Sequence, residues 1–140
     1  MAASPAAPAC DERKIQAAQV RCFADAAKSA ADPGICERAS DLAVRFNCLS
    51  LYAEHAGEAA TCERIAEYGE DGPTLRDACI VGVAMARREV ALCLQIKPSG
   101  IRDTCHMMYM LRFGADPDTC SHIANSALHH ICIEHAPKPE

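Results

Sequence analysis

Residues 93–105 read CLQIKPSGIRDTC, in which two cysteines lie at almost equal distances from a Lys-Pro-Ser-Gly turn. Two cysteines that face each other across an antiparallel helical hairpin need arms of similar length, because each helical residue rises about 1.5 Å. The stretch therefore predicts two helices joined by a turn and by a disulfide between Cys93 and Cys105.

The same arrangement recurs along the chain, which has ten cysteines in 140 residues. Read alternately, they form two series in which successive members are 26, 27 or 31 residues apart. The first series is Cys10, Cys36, Cys62, Cys93 and Cys120, and the second is Cys22, Cys48, Cys79, Cys105 and Cys132. A fixed period of roughly 20 to 50 residues is typical of repeat proteins, so the spacing indicates five units.

Each series has its own sequence context. An acidic residue stands four positions before every first-series cysteine except Cys10. The second-series cysteines from Cys48 onward have a basic residue or histidine three positions earlier, namely Arg45, Arg76, Arg102 and His129. Alanine often stands five positions after a second-series cysteine, as at Ala27, Ala53 and Ala84. We interpret the unit as a short helix, a turn, a longer helix and a second turn.

Helix boundaries can be predicted from capping residues. Asp32-Pro33 and Asp116-Pro117 predict an N-cap followed by proline at the first helical position. A capping box is predicted at Thr74, with further N-caps at Ser99 and Ser126, and helix ends are predicted at Gly57 and Gly114.

The predicted fold is all-α, made of disulfide-stapled helical-hairpin repeats that form a small α-solenoid or helical bundle. The predicted domain covers 10–135, between disordered tails at 1–9 and 136–140. Arms of matched length favour the pairs 10–22, 36–48, 62–79, 93–105 and 120–132. Only the span from Cys10 to Cys22 lacks a clear turn, and a continuous helix would separate those sulfurs by about 18 Å.

The stapling device resembles that of the coiled-coil-helix–coiled-coil-helix proteins, which also fix helical hairpins with disulfides. That family uses C-x9-C twice, whereas four of the five units here have C-x11-C. The serial hairpins are also similar to tetratricopeptide and Sel1-like arrays, without their period or consensus residues. No functional residue is carried over from these families.

Composition limits the functional classes. The net charge is −5 and the basic residues are scattered, so nucleic acid is not expected as a partner. No apolar run approaches the roughly 20 residues of a membrane span. Zinc sites usually place cysteines within a few positions of each other, whereas no two cysteines here are closer than twelve positions. The set therefore favours disulfides and export to a periplasmic or extracellular compartment, and no cofactor is expected.

Two sets of side chains near the carboxyl end suggest metal binding as an alternative. Methionine and histidine are ligands for copper, and histidine also binds zinc. The candidate ligands are His106, Met107, Met110, His122, His129 and His130. The competing interpretation is that Met108 and Met110 fill the core and that the late histidines lie on the surface of a terminal repeat.

The leading hypothesis is a noncatalytic exported module that binds a protein or peptide on the face made by its longer helices. An enzyme is a remote third alternative, since a disulfide-bonded Cys105 offers no thiolate and no Gly-rich phosphate loop is present. The sequence does not indicate the oligomeric state.

Overall fold

The computed structural model describes residues 6–136, and helices are the only regular elements in that range. The α-helices are labelled α and the 3-10 helices η. In chain order they are α1 (Ala6–Asp11), α2 (Gln16–Ala30), η1 (Pro33–Arg38), α3 (Leu42–Ala56), α4 (Ala59–Cys62), η2 (Ile65–Glu67), α5 (Gly72–Arg87), η3 (Val90–Gln95), α6 (Ser99–Phe113), α7 (Pro117–Ser121) and α8 (Ser126–His135). The all-α prediction is confirmed for these residues.

The chain forms two compact units, Met1–Cys79 and Ile80–Glu140. In the first unit, α2 packs against α1, η1 and α3, and α3 packs against α4. In the second unit, α6 packs against η3, α7 and α8. The predicted domain bounds and tails stay predictions, because 1–5 and 137–140 lie outside the described residues; α1 already begins at Ala6.

Each long helix carries one disulfide to an earlier short helix, which is the one directly before it except for α5, whose bond goes to α4. The bonds are Cys10–Cys22, Cys36–Cys48, Cys62–Cys79, Cys93–Cys105 and Cys120–Cys132, the pairs that arms of matched length favour. Their Cα atoms lie between 5.3 and 5.7 Å apart. Apart from the half-buried Cys22, every half-cystine is buried, so the sulfurs form part of the core.

The turn that the sequence did not reveal lies between α1 and α2, at residues 12–15. No glycine or proline marks it. Instead, the side-chain amide of Gln19 donates to the carbonyls of Asp11 and Arg13, at 3.2 and 2.7 Å. The first bond satisfies a carbonyl at the end of α1 that has no partner within the helix, and the second satisfies a carbonyl of the turn itself. The chain can therefore reverse here without a turn-forming residue.

Helix starts were predicted well at the aspartates and poorly elsewhere. Asp32 accepts from Gly34 N–H, and Asp116 accepts from the N–H groups of Asp118 and Thr119, so both N-caps are confirmed. The other three predictions were wrong. Thr74 lies inside α5, which begins at Gly72, whereas Ser99 and Ser126 are the first residues of their helices. The cap of α8 is Asn125, whose side chain accepts from Leu128 N–H at 3.0 Å.

Four long helices end nine residues after the second cysteine of a pair, each at a residue with positive φ. Residues Ala31, Gly57, Arg88 and Gly114 stand there with positive φ, which confirms both predicted glycine ends. At the first three junctions, the next N–H bonds to the carbonyl of Ala27, Ala53 or Ala84, as in a Schellman motif. Those alanines are fully buried. The alanine five positions after the second cysteine therefore marks the last buried turn of each of these helices.

The cores are built from aliphatic side chains and half-cystines. Phe23, Leu49 and Ile65 are the largest fully buried side chains of the first unit. In the second unit, Met110, Ile123 and the Cys120–Cys132 bond belong to one buried cluster. Within residues 6–136, no helix combines the length and the apolarity that crossing a membrane requires.

Candidate functional site

The residue three positions before the second cysteine of each pair bonds back to the preceding short segment. Arg102 donates to the carbonyls of Ile96 and Lys97 at 3.3 Å, and Arg45 donates to the carbonyl of Ala39. The other members are Gln19, which holds the first turn, Arg76, whose Nε donates to Glu63 at 2.9 Å, and His129, whose Nδ1 donates to the Cys120 carbonyl at 2.8 Å. These side chains close the hairpins, so we assign them to the fold and not to ligand binding.

Gln19 is the member of this set that the sequence interpretation missed. The pattern was identified from positive charge and histidine, and Gln19 has neither. Its position three residues before Cys22 could have identified it, because a side-chain amide can donate to carbonyls as a guanidinium does.

The predicted metal ligands do not converge. His106 and His122 stack with ring centroids 5.7 Å apart, but His129 bonds to a backbone carbonyl and His130 pairs with Glu134 at 2.9 Å. Met110 is buried in the second core, and Met107 packs against it. Residues 6–136 contain no group of three or more His, Cys, Asp or Glu side chains that could hold a metal ion. Met108, which was expected in the core, is 47% exposed.

His106 is the buried histidine of this set. Its Nδ1 donates to the carbonyl of Arg102 at 2.9 Å, and its Nε2 is buried without a hydrogen-bond partner. Burial lowers the pKa of His106, and the neighbouring His122 lowers it further, against the opposing hydrogen bond to Arg102 and the charge of Asp103. The folded protein therefore favours the neutral imidazole.

Asp103 is a buried carboxylate that the sequence interpretation did not single out. One oxygen accepts from Ala124 N–H and the other from Asn125 N–H, each at 2.9 Å. The carboxylate of α6 thus fixes the turn from which α8 begins. Both oxygens are engaged by backbone donors, so Asp103 has a structural role.

A groove between two of the longer helices is a candidate for ligand binding. It has a volume of about 530 Å³. The helices α2 and α3 line it with apolar residues and three polar ones, namely Gln16, Ala17, Val20, Arg21, Asn47 and Leu51. Val20 is buried, whereas Leu51 is 37% exposed. Arg21, which is exposed, makes no ion pair within residues 6–136. The groove can therefore bury an apolar side chain beside an unpaired guanidinium.

Comparison with known proteins found no matching family model, no similar curated protein and no similar solved structure. The functional argument therefore depends on the residues of this chain.

Proposed function

We propose that this chain is a noncatalytic, exported, disulfide-rich helical protein that binds a protein or peptide. The observation that carries the proposal is the α2–α3 groove, where Leu51 and Val20 offer an apolar surface next to the cationic Arg21. Binding sites commonly combine an apolar lining with a few polar groups that fix orientation. The occupant is a segment with one apolar side chain and an adjacent Asp or Glu.

Export is supported by the state of the cysteines. All ten form disulfides, and no cysteine of the described residues is free. Disulfide sets of this density are typical of oxidising compartments and rare in a reducing cytosol. The compartment we propose is periplasmic or extracellular.

We also propose that the five hairpins are copies of one repeating unit. Each hairpin contains one disulfide, and the residue three positions before its second cysteine bonds to the preceding short segment. Four of the long helices also end at a residue with positive φ. These recurring features support the proposal. Repeats of this kind present neighbouring long helices side by side, which makes grooves such as the one between α2 and α3. A solenoid arrangement remains a prediction.

Panning a phage-displayed peptide library against the oxidised protein tests the proposal. Selected peptides are expected to carry an apolar residue beside Asp or Glu. Leu51→Ser removes about 1 to 2 kcal/mol of apolar contact, so it should weaken binding about tenfold. Leu42→Ser is the matched control, because Leu42 lies on the same helix, is 55% exposed and does not line the groove. Equal binding by the two variants would contradict the groove assignment.

Copper or zinc binding, the alternative function, gains no support from the positions of its six candidate ligands. Met107 and Met110 belong to a core cluster, and His106 and His122 stack on each other. His129 bonds to a backbone carbonyl, and His130 contacts Glu134 at the surface. We therefore retain one proposed function.

A further inference from the structure

A group of cationic and aromatic side chains lies at the carboxyl end of α6, within the second unit. We call Arg88, Tyr109, Arg112 and Phe113 the arginine–aromatic cluster. The rings of Tyr109 and Phe113 have centroids 4.9 Å apart. The guanidinium carbons of Arg88 and Arg112 lie 4.8 and 5.4 Å from the Phe113 centroid. Two cations thus share one aromatic ring, which attracts each of them.

Neither guanidinium has a carboxylate partner among residues 6–136, and neither donates a hydrogen bond there. The adjacent Arg87 differs, because its Nε lies 3.2 Å from a carboxylate oxygen of Glu89. Residues 80–140 carry six Lys or Arg and six Asp or Glu, so this unit has no general excess of positive charge. The positive charge is local to the arginine–aromatic cluster.

A hydrogen bond ties the backbone at Arg88 to the aromatic part of this cluster. Arg88 has φ of 51° at the end of α5, a position that Ala31 takes with the same φ after α2 and that glycine takes after α3 and α6. A side chain in the left-handed region costs roughly 1 kcal/mol relative to glycine. The Arg88 carbonyl accepts from the Tyr109 hydroxyl at 3.1 Å, which fixes the strained residue beside the ring pair. The backbone of Arg88 is therefore anchored to Tyr109 while its guanidinium lies against Phe113.

Apolar side chains extend the surface. Met108 is 47% exposed and Leu111 is 72% exposed. Met108 stands three positions before Leu111 and four before Arg112, so it neighbours each of them on the surface of α6. Arginine, methionine and aromatic residues are the types that protein interfaces favour.

We propose that the arginine–aromatic cluster, together with Met108 and Leu111, docks an acidic segment of a partner protein. A carboxylate of the segment pairs with the guanidiniums over Phe113, and an apolar side chain of the segment covers Leu111. An acidic segment is the expected occupant, because its carboxylate supplies the hydrogen-bond acceptors that Arg88 and Arg112 do not find within residues 6–136. The proposal rests on the proposed protein-binding function but uses a different surface from the α2–α3 groove.

Fluorescence anisotropy with a labelled helical peptide of glutamate and leucine tests the docking. The oxidised full chain should bind this peptide and should not bind a counterpart in which glutamine replaces glutamate. Arg88→Gln and Arg112→Gln should each weaken binding about tenfold, as expected for loss of a hydrogen bond to a charged group. Arg87→Gln is the matched control: it removes the same charge from an arginine that is already paired, and it should change affinity less than about twofold.

Three results would overturn the proposal. One is absence of binding by the glutamate–leucine peptide at about 1 mM. Another is an equal loss in all three arginine variants, which would indicate a general charge effect. The third is a dimer in light scattering that Arg112→Gln dissociates, since the occupant would then be a second copy. Repeating the assay with the Leu51→Ser variant separates the two proposals, because this change alters the groove and leaves the arginine–aromatic cluster intact. The losses caused by Arg88→Gln and Arg112→Gln should persist in that variant whether or not the groove binds a peptide.

Discussion

Replacing Asp103 by asparagine removes one of the two acceptors that hold the start of α8. The carboxylate now accepts from Ala124 N–H and Asn125 N–H, one bond to each oxygen, both at 2.9 Å. Asparagine has almost the same shape but one acceptor oxygen and one amide group. That amide is a donor, so it would face a backbone N–H instead of accepting from it.

The expected cost follows from the bond that is lost. A hydrogen bond to a charged group contributes about 1.5 to 3 kcal/mol. Ala124 and Asn125 are exposed residues, so water can reach the released N–H, and we take the lower end, about 1.5 to 2 kcal/mol. Because each 1.4 kcal/mol is a factor of ten, local opening of the turn should become about ten to thirty times more frequent.

Native-state hydrogen exchange of the oxidised protein measures this opening directly. The amides of Ala124, Asn125 and Leu128 should exchange about ten to thirty times faster in Asp103→Asn, while amides of α2 and α3 should keep their rates. Asp118→Asn makes the same chemical change at an exposed position of α7 and is the control. The reasoning is refuted if the two variants exchange alike at these amides, or if every amide of the chain accelerates together.

Three further predictions concern pH, a helix end and the disulfides. Burial lowers the pKa of His106 below its ordinary 6.5, so the unfolded chain binds the proton more tightly; the free energy of unfolding should therefore fall as pH drops below 6.5. In urea titrations, His106→Gln should reduce this fall, and an unchanged pH dependence in that variant would contradict the assignment. Ala31→Gly should stabilise the protein by about 1 kcal/mol, because glycine adopts a positive φ without the strain that alanine has. Ala26→Gly inside α2 is the control and should destabilise the protein by a similar amount. Equal effects of the two changes in thermal unfolding would contradict this prediction. Reduction should abolish the helical circular dichroism, because each closed loop contributes about 3 kcal/mol; persistent helix would show that the noncovalent core is sufficient.

The disulfide pairs could be derived from sequence because helix geometry leaves few choices. Cys93 and Cys105 lie at matched distances from Pro98-Ser99-Gly100, and arms of equal length bring two Cα atoms within bonding range. The Asp32-Pro33 cap was equally accessible, since an aspartate side chain and the fixed φ of proline act within one turn of the chain. Local rules of this kind need no knowledge of the partners that fold onto the helix.

Features that depend on tertiary contacts were missed for a physical reason. The turn before α2 depends on Gln19, whose amide reaches back eight residues to Asp11. Asp103 acts on residues more than twenty positions away, and no local pattern distinguishes it from a solvated acid. Met108 was placed in the core because methionine is apolar, but its position on α6 faces solvent while Met110 faces the core.

The side chains that close the hairpins differ from the cations Arg21 and Arg112 that are candidates for binding, and this explains why the hairpin pattern alone could not indicate function. The arginines three positions before the second cysteine, such as Arg45 and Arg102, donate hydrogen bonds to backbone carbonyls within their own hairpins. Arg21 and Arg112 stand at other positions and pair with no carboxylate of the described residues. An exposed cation that the fold does not use keeps its hydrogen-bonding capacity for a partner. A relative that kept the cysteines and the hairpin-closing arginines but lacked Arg21 and Arg112 would therefore be expected to keep the fold and to bind a different ligand.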